Sequence, residues 1–203
     1  RRPTLIIPPN PKSWQTETLE LLGFESEDWV EWDAFRGKVD RLVVPSVRRI
    51  YDDGVVSPAQ TEWFSERMVG GAEGQVEASK TSSRVYISRD DAGRRRLTNE
   101  DDLMDQLGDL GFERHYLERM STAQIVSLFN NANIIVAPHG AGLTNIMFAT
   151  DASVIELRPN DSYSWVYYVL SEQNGLDYCY VMGDDDKEGT DFRVEPAKVI
   201  DAL

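Results

Sequence analysis

The run Ile134-Ile135-Val136-Ala137 is apolar at every position and is closed by Pro138. A half-exposed strand would alternate, so a short unbroken apolar run fits a strand covered on both faces. Such a strand occupies the middle of a parallel sheet, which needs a layer of helices on each side. The flanking sequence supplies them. Val85-Tyr86-Ile87-Ser88 reads as a strand, followed by a helix from about Asn99 to Leu110 and a strand from Phe112 to Tyr116. A helix from Ser121 to Asn130 leads into the central strand. Beyond it come a helix after Gly142, the strand Ser153 to Leu157, a helix around Trp165 to Gln173, and the strand Asp177 to Val181. Strands alternating with helices of about ten residues define a parallel α/β sheet. Thr98 with Asp101, and Ser121 with Gln124, have capping-box spacing at two of the helix starts.

The first 80 residues repeat the strand-helix theme on a smaller scale. Thr4-Leu5-Ile6-Ile7 is β-type and stops at Pro8-Pro9, and Ser13 to Leu22 carries apolar residues at helical spacing up to Gly23. Val39 to Val44 reads as a second strand. Ser57-Pro58 starts a helix that runs to about Met68, with serine as cap and proline in the first turn. The stretch from Gly70 to Ser83, with Gly70-Gly71, Gly74 and Thr81-Ser82-Ser83, has no apolar period and reads as a linker. The expected division is a partial α/β domain over 1–80 and a parallel-sheet domain over 81–203. A start at Arg1, with a strand arriving before any complete domain, suggests a segment lying upstream.

Composition narrows the function classes. At 203 residues and 41% apolar content the chain can bury a real core. It has no apolar run of eighteen residues and no signal-type segment, so the reading is a soluble, cytoplasmic protein without an integral membrane segment. A net charge of −14 argues against nucleic acid as a partner, because that binding neutralises phosphates with Lys and Arg. There are 21 basic residues, and lysine occurs only at Lys12, Lys38, Lys80, Lys187 and Lys198. Carboxylates crowd the loops, as in a protein adapted to a high-salt cytoplasm. The single cysteine, Cys179, sits in an apolar run and reads as buried.

The most informative loop follows the central strand: Pro138-His139-Gly140-Ala141-Gly142-Leu143-Thr144-Asn145, opening into Ile146-Met147-Phe148-Ala149. Ligands of open α/β sheets sit beyond the carboxyl ends of the strands. Gly140 and Gly142 allow close backbone approach, and the amides that open a helix favour an anion such as a diphosphate. Two glycines can also form no more than a tight turn. A nicotinamide fingerprint would want G-x-G-x-x-G on the first strand and an acid about twenty residues on. Here Asn145 takes the place of the third glycine, and the motif lies late in its domain. Glu156 ends the next strand, where a carboxylate could meet ribose hydroxyls or simply face solvent. Arg89 ends the strand Val85–Ser88, where a guanidinium could pair with phosphate or with a surface acid.

The combination Tyr86-Ile87-Ser88-Arg89-Asp90-Asp91-Ala92, Asn99-Glu100-Asp101, Ala137-Pro138-His139-Gly140-Ala141-Gly142-Leu143-Thr144-Asn145 and Val154-Ile155-Glu156-Leu157 resembles glycosyltransferase family 61. The resemblance covers most of residues 84 to 181. It implies a GT-B arrangement of two Rossmann-like domains, inverting and metal-independent transfer from a nucleoside-diphosphate sugar, with UDP as the expected nucleotide, and a glycan or other hydroxyl acceptor, as in surface polysaccharide or glycoconjugate synthesis. It further implies that Arg89 and the loop residues Gly140, Ala141, Gly142, Leu143, Thr144 and Asn145 bind the donor diphosphate, with Glu156 on the ribose. His139 is then placed to stabilise the leaving group, and the catalytic base is not identified. No separate cofactor and no metal are implied. The alternative is a non-catalytic nucleotide-binding module of the same fold.

Other motifs point elsewhere. Asp184-Asp185-Asp186 follows Gly183 in a polar stretch and reads as a solvated loop rather than a metal site. Arg94-Arg95-Arg96 could form a phosphate patch with a donor-side role, but it adjoins Asp90-Asp91 and Glu100-Asp101-Asp102, and local ion pairing is the expectation. His115 lacks a second ligand at metal spacing. Trp14, Trp29, Trp32, Trp63 and Trp165 read as core or cleft-lining residues, with sugar stacking as the other role for Trp14 and Trp165.

Overall fold

The computed structural model describes residues 3–44, 57–76, 82–160, 164–185 and 190–203. Its centre is a five-stranded, wholly parallel sheet built from β3 (Arg84–Ile87), β4 (Glu113–His115), β5 (Ile134–Pro138), β6 (Ser153–Arg158) and β7 (Asp177–Met182). The spatial order is β4-β3-β5-β6-β7. Counted along this sheet alone that is 2-1-3-4-5, a doubly wound order whose direction of winding reverses between β3 and β5. The fold class is therefore α/β with a parallel sheet, compatible with a Rossmann-type domain.

The pleat divides the strand side chains between two cores. Val85, Ile87, Ile135, Ala137 and Val154 face a layer containing α1 (Ser13–Leu21), α2 (Pro58–Ala72), α4 (Thr122–Asn130) and α5 (Val166–Asn174). Tyr86, Val136, Ile155, Leu157 and Val181 face α3 (Glu100–Asp109) and α6 (Pro196–Ile200), with Phe192 and Val194 beside them. Ile135 and Val136 are both 0% exposed, as an unbroken apolar strand requires. Each such side chain contributes about 1.5–3 kcal/mol relative to exposure.

Helices α1 and α2 lie on the first of these cores. Met68 and Ala72 are buried in it with Leu21, and Glu17 of α1 accepts a hydrogen bond from the Thr122 amide at the start of α4 (2.6 Å). The reason for Gly71 is visible here. Helix α2 continues past Met68 to Ala72, and a Cβ on Gly71 would overlap the Leu21 carbonyl. Gly71 is thus a helix-helix contact, and both glycines lie inside α2 rather than at the start of a linker. Residues 77–81 of the expected linker lie outside the described residues.

Several other expectations change. Val39 to Val44 forms no strand. β1 (Leu5–Ile7) instead pairs in parallel with β2 (Trp29–Glu31), and Leu42, Val43 and Val44 are left exposed. A run of β-formers without a backbone partner does not make a strand. At α3 the cap position belongs to Asn99, which makes no side-chain cap, while the Thr98 hydroxyl donates to the Phe192 carbonyl (3.2 Å). The Ser121–Gln124 capping box is present. The segment after Gly140 is a 3-10 helix, Ala141–Phe148, rather than an α-helix. Asp184–Asp185 forms the short strand β8, antiparallel to β9 (Phe192–Arg193), and is not a free loop; Asp186 lies outside the described residues. Trp14, Trp32, Trp63 and Trp165 are exposed rather than in the core, and Cys179 is only half-buried. No helix among the described residues is long and apolar enough to cross a membrane.

Candidate functional site

Arg89 leaves the sheet at the end of β3, and the turn that carries it is fixed from below. The Ser88 amide donates to the His115 carbonyl (2.9 Å), extending the β3–β4 ladder by one residue. The Ser88 hydroxyl donates to Glu100 Oε1 (2.7 Å) and accepts from the Asp90 amide (3.2 Å). Glu100 is 7% exposed, and its other oxygen accepts from the Tyr86 hydroxyl (3.1 Å). Arg114 stands 3.5 Å from Glu100 and also pairs with Asp101 (2.8 Å). Burial and the neighbouring Glu100 carboxylate push the Tyr86 phenol well above its ordinary range, so it remains a donor.

From that turn Arg89 lies across Gly140. A Cβ at Gly140 would overlap the Arg89 guanidinium, so the glycine is needed for room. Its φ of 171° is ordinary extended backbone. Gly142 has a different task, since a Cβ there would press on Leu117 (3.2 Å) and Ile87 (3.5 Å) in the core. Among the described residues Arg89 has no carboxylate partner. One Nη donates to the Arg94 carbonyl (3.2 Å), and its buried Nε has no partner at all. Burial, and then the field of Arg95, lower its pKa. A half-buried guanidinium left beside a second cation is a site for an anion.

The loop residues divide accordingly. Leu143 is buried in the core, and the Asn145 side chain turns back to donate to the Gly142 carbonyl (2.9 Å). Ala141 and Thr144 face outward, and the Thr144 hydroxyl hydrogen-bonds Tyr167 of α5. The first amides of a helix have no intrahelical acceptors, so those of Ala141 and Gly142 open the 3-10 helix beside Arg89.

His139 is 6% exposed, and Glu156 is 0% exposed. His139 Nδ1 hydrogen-bonds one Glu156 oxygen, and the Tyr178 hydroxyl of β7 donates to the other. Burial, then the bond to Glu156, push the Tyr178 phenol up. Arg158, 1% exposed, hydrogen-bonds Tyr178 in turn and sits over the rings of Trp165 (4.7 Å) and Tyr180 (5.2 Å). The Tyr167 ring packs edge-on to His139, centroids 5.3 Å apart. Glu156 is therefore not an edge acid facing the crevice, because both oxygens are engaged beneath α5. Engaging Nδ1 leaves Nε2 as the imidazole nitrogen that can address a ligand.

Arg89, His139, Gly140, Ala141 and Thr144 thus converge where the winding reverses, while Leu143, Asn145 and Glu156 support them from behind. The sequence model of Glycosyltransferase 61 matches residues 8–155. The chain belongs to glycosyltransferase family 61. It is 29% identical over 116 residues to the β-1,2-xylosyltransferase XAX1 of Oryza sativa subsp. japonica, covering 47% of this chain and 20% of that protein. It is 25% identical over 159 residues to the xylan glycosyltransferase MUCI21 of Arabidopsis thaliana, covering 75% of this chain and 30% of that protein. The aligned part thus spans between a fifth and a third of these relatives.

Two residues of this cluster were not singled out by sequence reasoning, Tyr167 and Tyr178, and a third, Arg95, was offered only as part of an arginine triplet. The tyrosines lie in apolar stretches that look like core. Among the described residues Arg96 alone of that triplet forms an ion pair, and it pairs with Asp191 (2.7 Å) rather than with the adjacent acids.

Proposed function

We propose that the protein is an inverting glycosyltransferase of the GT-B type, moving a sugar from a nucleoside-diphosphate donor to a hydroxyl of a glycan. The observation that carries this reading is Arg89, laid across Gly140 at the reversal point without a carboxylate partner. In this reading Arg89, the amides of Ala141 and Gly142 and the Thr144 hydroxyl hold the diphosphate. UDP is the expected nucleotide, and the xylosyl transfer named for XAX1 makes a pentose the first sugar to try. The acid-rich surface fits a cytoplasm of high salt.

The acceptor hydroxyl attacks the anomeric carbon on the face opposite the diphosphate. The new C–O bond forms as the anomeric bond to phosphate breaks, inverting the configuration. The hydroxyl proton passes to a base on the acceptor side, and the nucleoside diphosphate leaves with the bonding pair. Preorganised donors stabilise that departing charge most when they need not reorganise. Glu156 acts here through His139, fixing the ring so that Nε2 points to the leaving group. Charge neutralisation falls to side chains and amides, so transfer should persist in EDTA.

The test is thermal stability in molar potassium chloride with UDP, GDP, ADP, CMP or NAD, since a ligand that binds only the folded state raises Tm by mass action. A rise with one nucleoside diphosphate, abolished in Arg89→Ala, is the expected result. A rise with NAD alone would remove the transferase reading. Binding without turnover in the full-length protein, given donor and xylan oligosaccharides, would favour a non-catalytic nucleotide-binding module.

A further inference from the structure

Arg95 is one of two non-glycine residues among those described with a left-handed backbone, at φ +56°. For an L residue other than Gly, Asn or Asp that conformation is unfavourable and persists only where its surroundings impose it. The surroundings come from the far end of the chain. The Arg95 amide donates to the Thr190 hydroxyl (3.3 Å). The Arg96 amide donates to Asp191 Oδ1 (2.9 Å), and the Arg96 guanidinium grips Asp191 Oδ2 through Nε (2.9 Å) and Nη2 (2.7 Å). The Phe192 amide closes onto the Arg96 carbonyl (3.1 Å). A bidentate arginine-carboxylate pair fixes both position and plane. Arg96 is thus held on Asp191, and Arg95 takes the left-handed position immediately before it.

There Arg95 lies within electrostatic reach of Arg89 and Tyr167. Its Nε is buried without a hydrogen-bond partner, and among the described residues it pairs with no carboxylate. Folding has thus placed two guanidinium groups near each other, both partly out of water, one of them on a strained backbone. An unliganded site gains nothing from that arrangement, but a dianionic ligand bridging the two would.

We propose that Arg95 is the second arginine of the diphosphate site and that Asp191, through Arg96, is the positioning residue that holds it there. The inference rests on the donor reading above and adds a residue pair from outside the strand-end motifs. Arg89 and Arg95 would take the two phosphates from opposite sides, with Thr144 and the 3-10 helix amides between them. Asp191 would shape donor affinity without touching the donor.

The experiment is calorimetric titration of the full-length protein with UDP and, separately, inorganic pyrophosphate. Arg95→Gly removes the guanidinium and relieves the left-handed backbone at once, so fold stability should hold or rise while affinity for both ligands falls roughly tenfold or more. Arg95→Asn, which also tolerates this backbone, gives the same comparison should the glycine variant fold poorly. Asp191→Ala should weaken both ligands several-fold, and Arg95→Gly combined with Asp191→Ala should be no weaker than Arg95→Gly alone, since the carboxylate acts only through Arg95. Wild-type affinity in Arg95→Gly, independent additive losses in the double variant, or failure of both Arg95 variants to fold would overturn the proposal. Absence of binding by the unaltered protein would instead remove the donor reading beneath it, and the inference with it. Binding by the unaltered protein that is lost in Arg89→Ala but kept in Arg95→Gly would remove this inference alone.

Discussion

Glu100 and Glu156 are buried on opposite faces of one sheet, and their partners differ. Glu100 is met by the hydroxyls of Ser88 and Tyr86 and by Arg114, a group still in touch with solvent and with Asp101. Glu156, with no exposure at all, is met by a tyrosine and a histidine. Removing a carboxylate from water costs several kcal/mol unless donors replace the water. Around Glu100 the donors include a guanidinium whose charge is permanent, and the network secures a turn. Around Glu156 the two partners are an imidazole and a phenol, neither of which brings a permanent charge. The first arrangement is a fixture of the fold, and the second holds the His139 ring in place beside the ligand loop.

Alanine substitution tests the difference at its largest. Glu156→Ala leaves His139 and Tyr178 facing a void closed to water, and the unfolding free energy should fall by about 3–5 kcal/mol. Glu100→Ala strands two hydroxyls, but Arg114 keeps Asp101, so a loss of about 2 kcal/mol is expected. Urea unfolding measures both, and equal losses would mean that the two sites are energetically alike. The isosteric changes separate function from stability. Glu156→Gln should lower turnover about a hundredfold, because it removes the charge that orients and stabilises His139, whereas Glu100→Gln should change it no more than a few-fold. A Glu156→Gln enzyme with normal turnover would return His139 to a packing role.

The two glycines of the loop carry the same contrast at smaller scale. Gly140→Ala pushes on the flexible end of Arg89, so donor affinity should drop about tenfold while stability changes by less than about 1 kcal/mol. Gly142→Ala presses on Leu117 and Ile87, so the expected outcome is reversed: about 1 kcal/mol of stability lost and affinity kept. UDP titration and urea unfolding on the same two variants decide it.

Much of this was legible beforehand, for a physical reason. The central strand of the main sheet is locally encoded, because a strand covered on both faces must be apolar throughout, as 134–137 is. The loop after β5 was legible because its glycines stand where a parallel sheet places ligands. What could not be read were pairings across distance. Nothing local assigns Asp191 to Arg96 across 95 residues, or Tyr178 to Glu156, since a hydroxyl inside an apolar run looks like any other core residue. Val39 to Val44 failed for the complementary reason: a β-forming pattern states a preference, and the register of β1 had already been satisfied by Trp29–Glu31.

The two histidines carry the comparison to its smallest expected effect. His139 is matched to a carboxylate, while His115, at the end of β4, has a buried Nε2 without a hydrogen bond and a distant Glu113 at 3.8 Å. Burial holds the His115 pKa below its ordinary value, with Glu113 opposing. The fold therefore favours the neutral ring. In the unfolded chain His115 takes up its proton near pH 6.5, so below that pH the unfolded state binds more protons than the folded one. Stability must then fall as pH drops from about 6.5 toward the lower folded value. Because the ring is only half-buried, solvent screening keeps the loss under about 1 kcal/mol. His115→Gln removes this contribution while leaving the carboxylate background in place. Urea unfolding at pH 7 and pH 5 should show the variant losing less stability than the parent; an equal loss would mean that the His115 ring is solvated in both states.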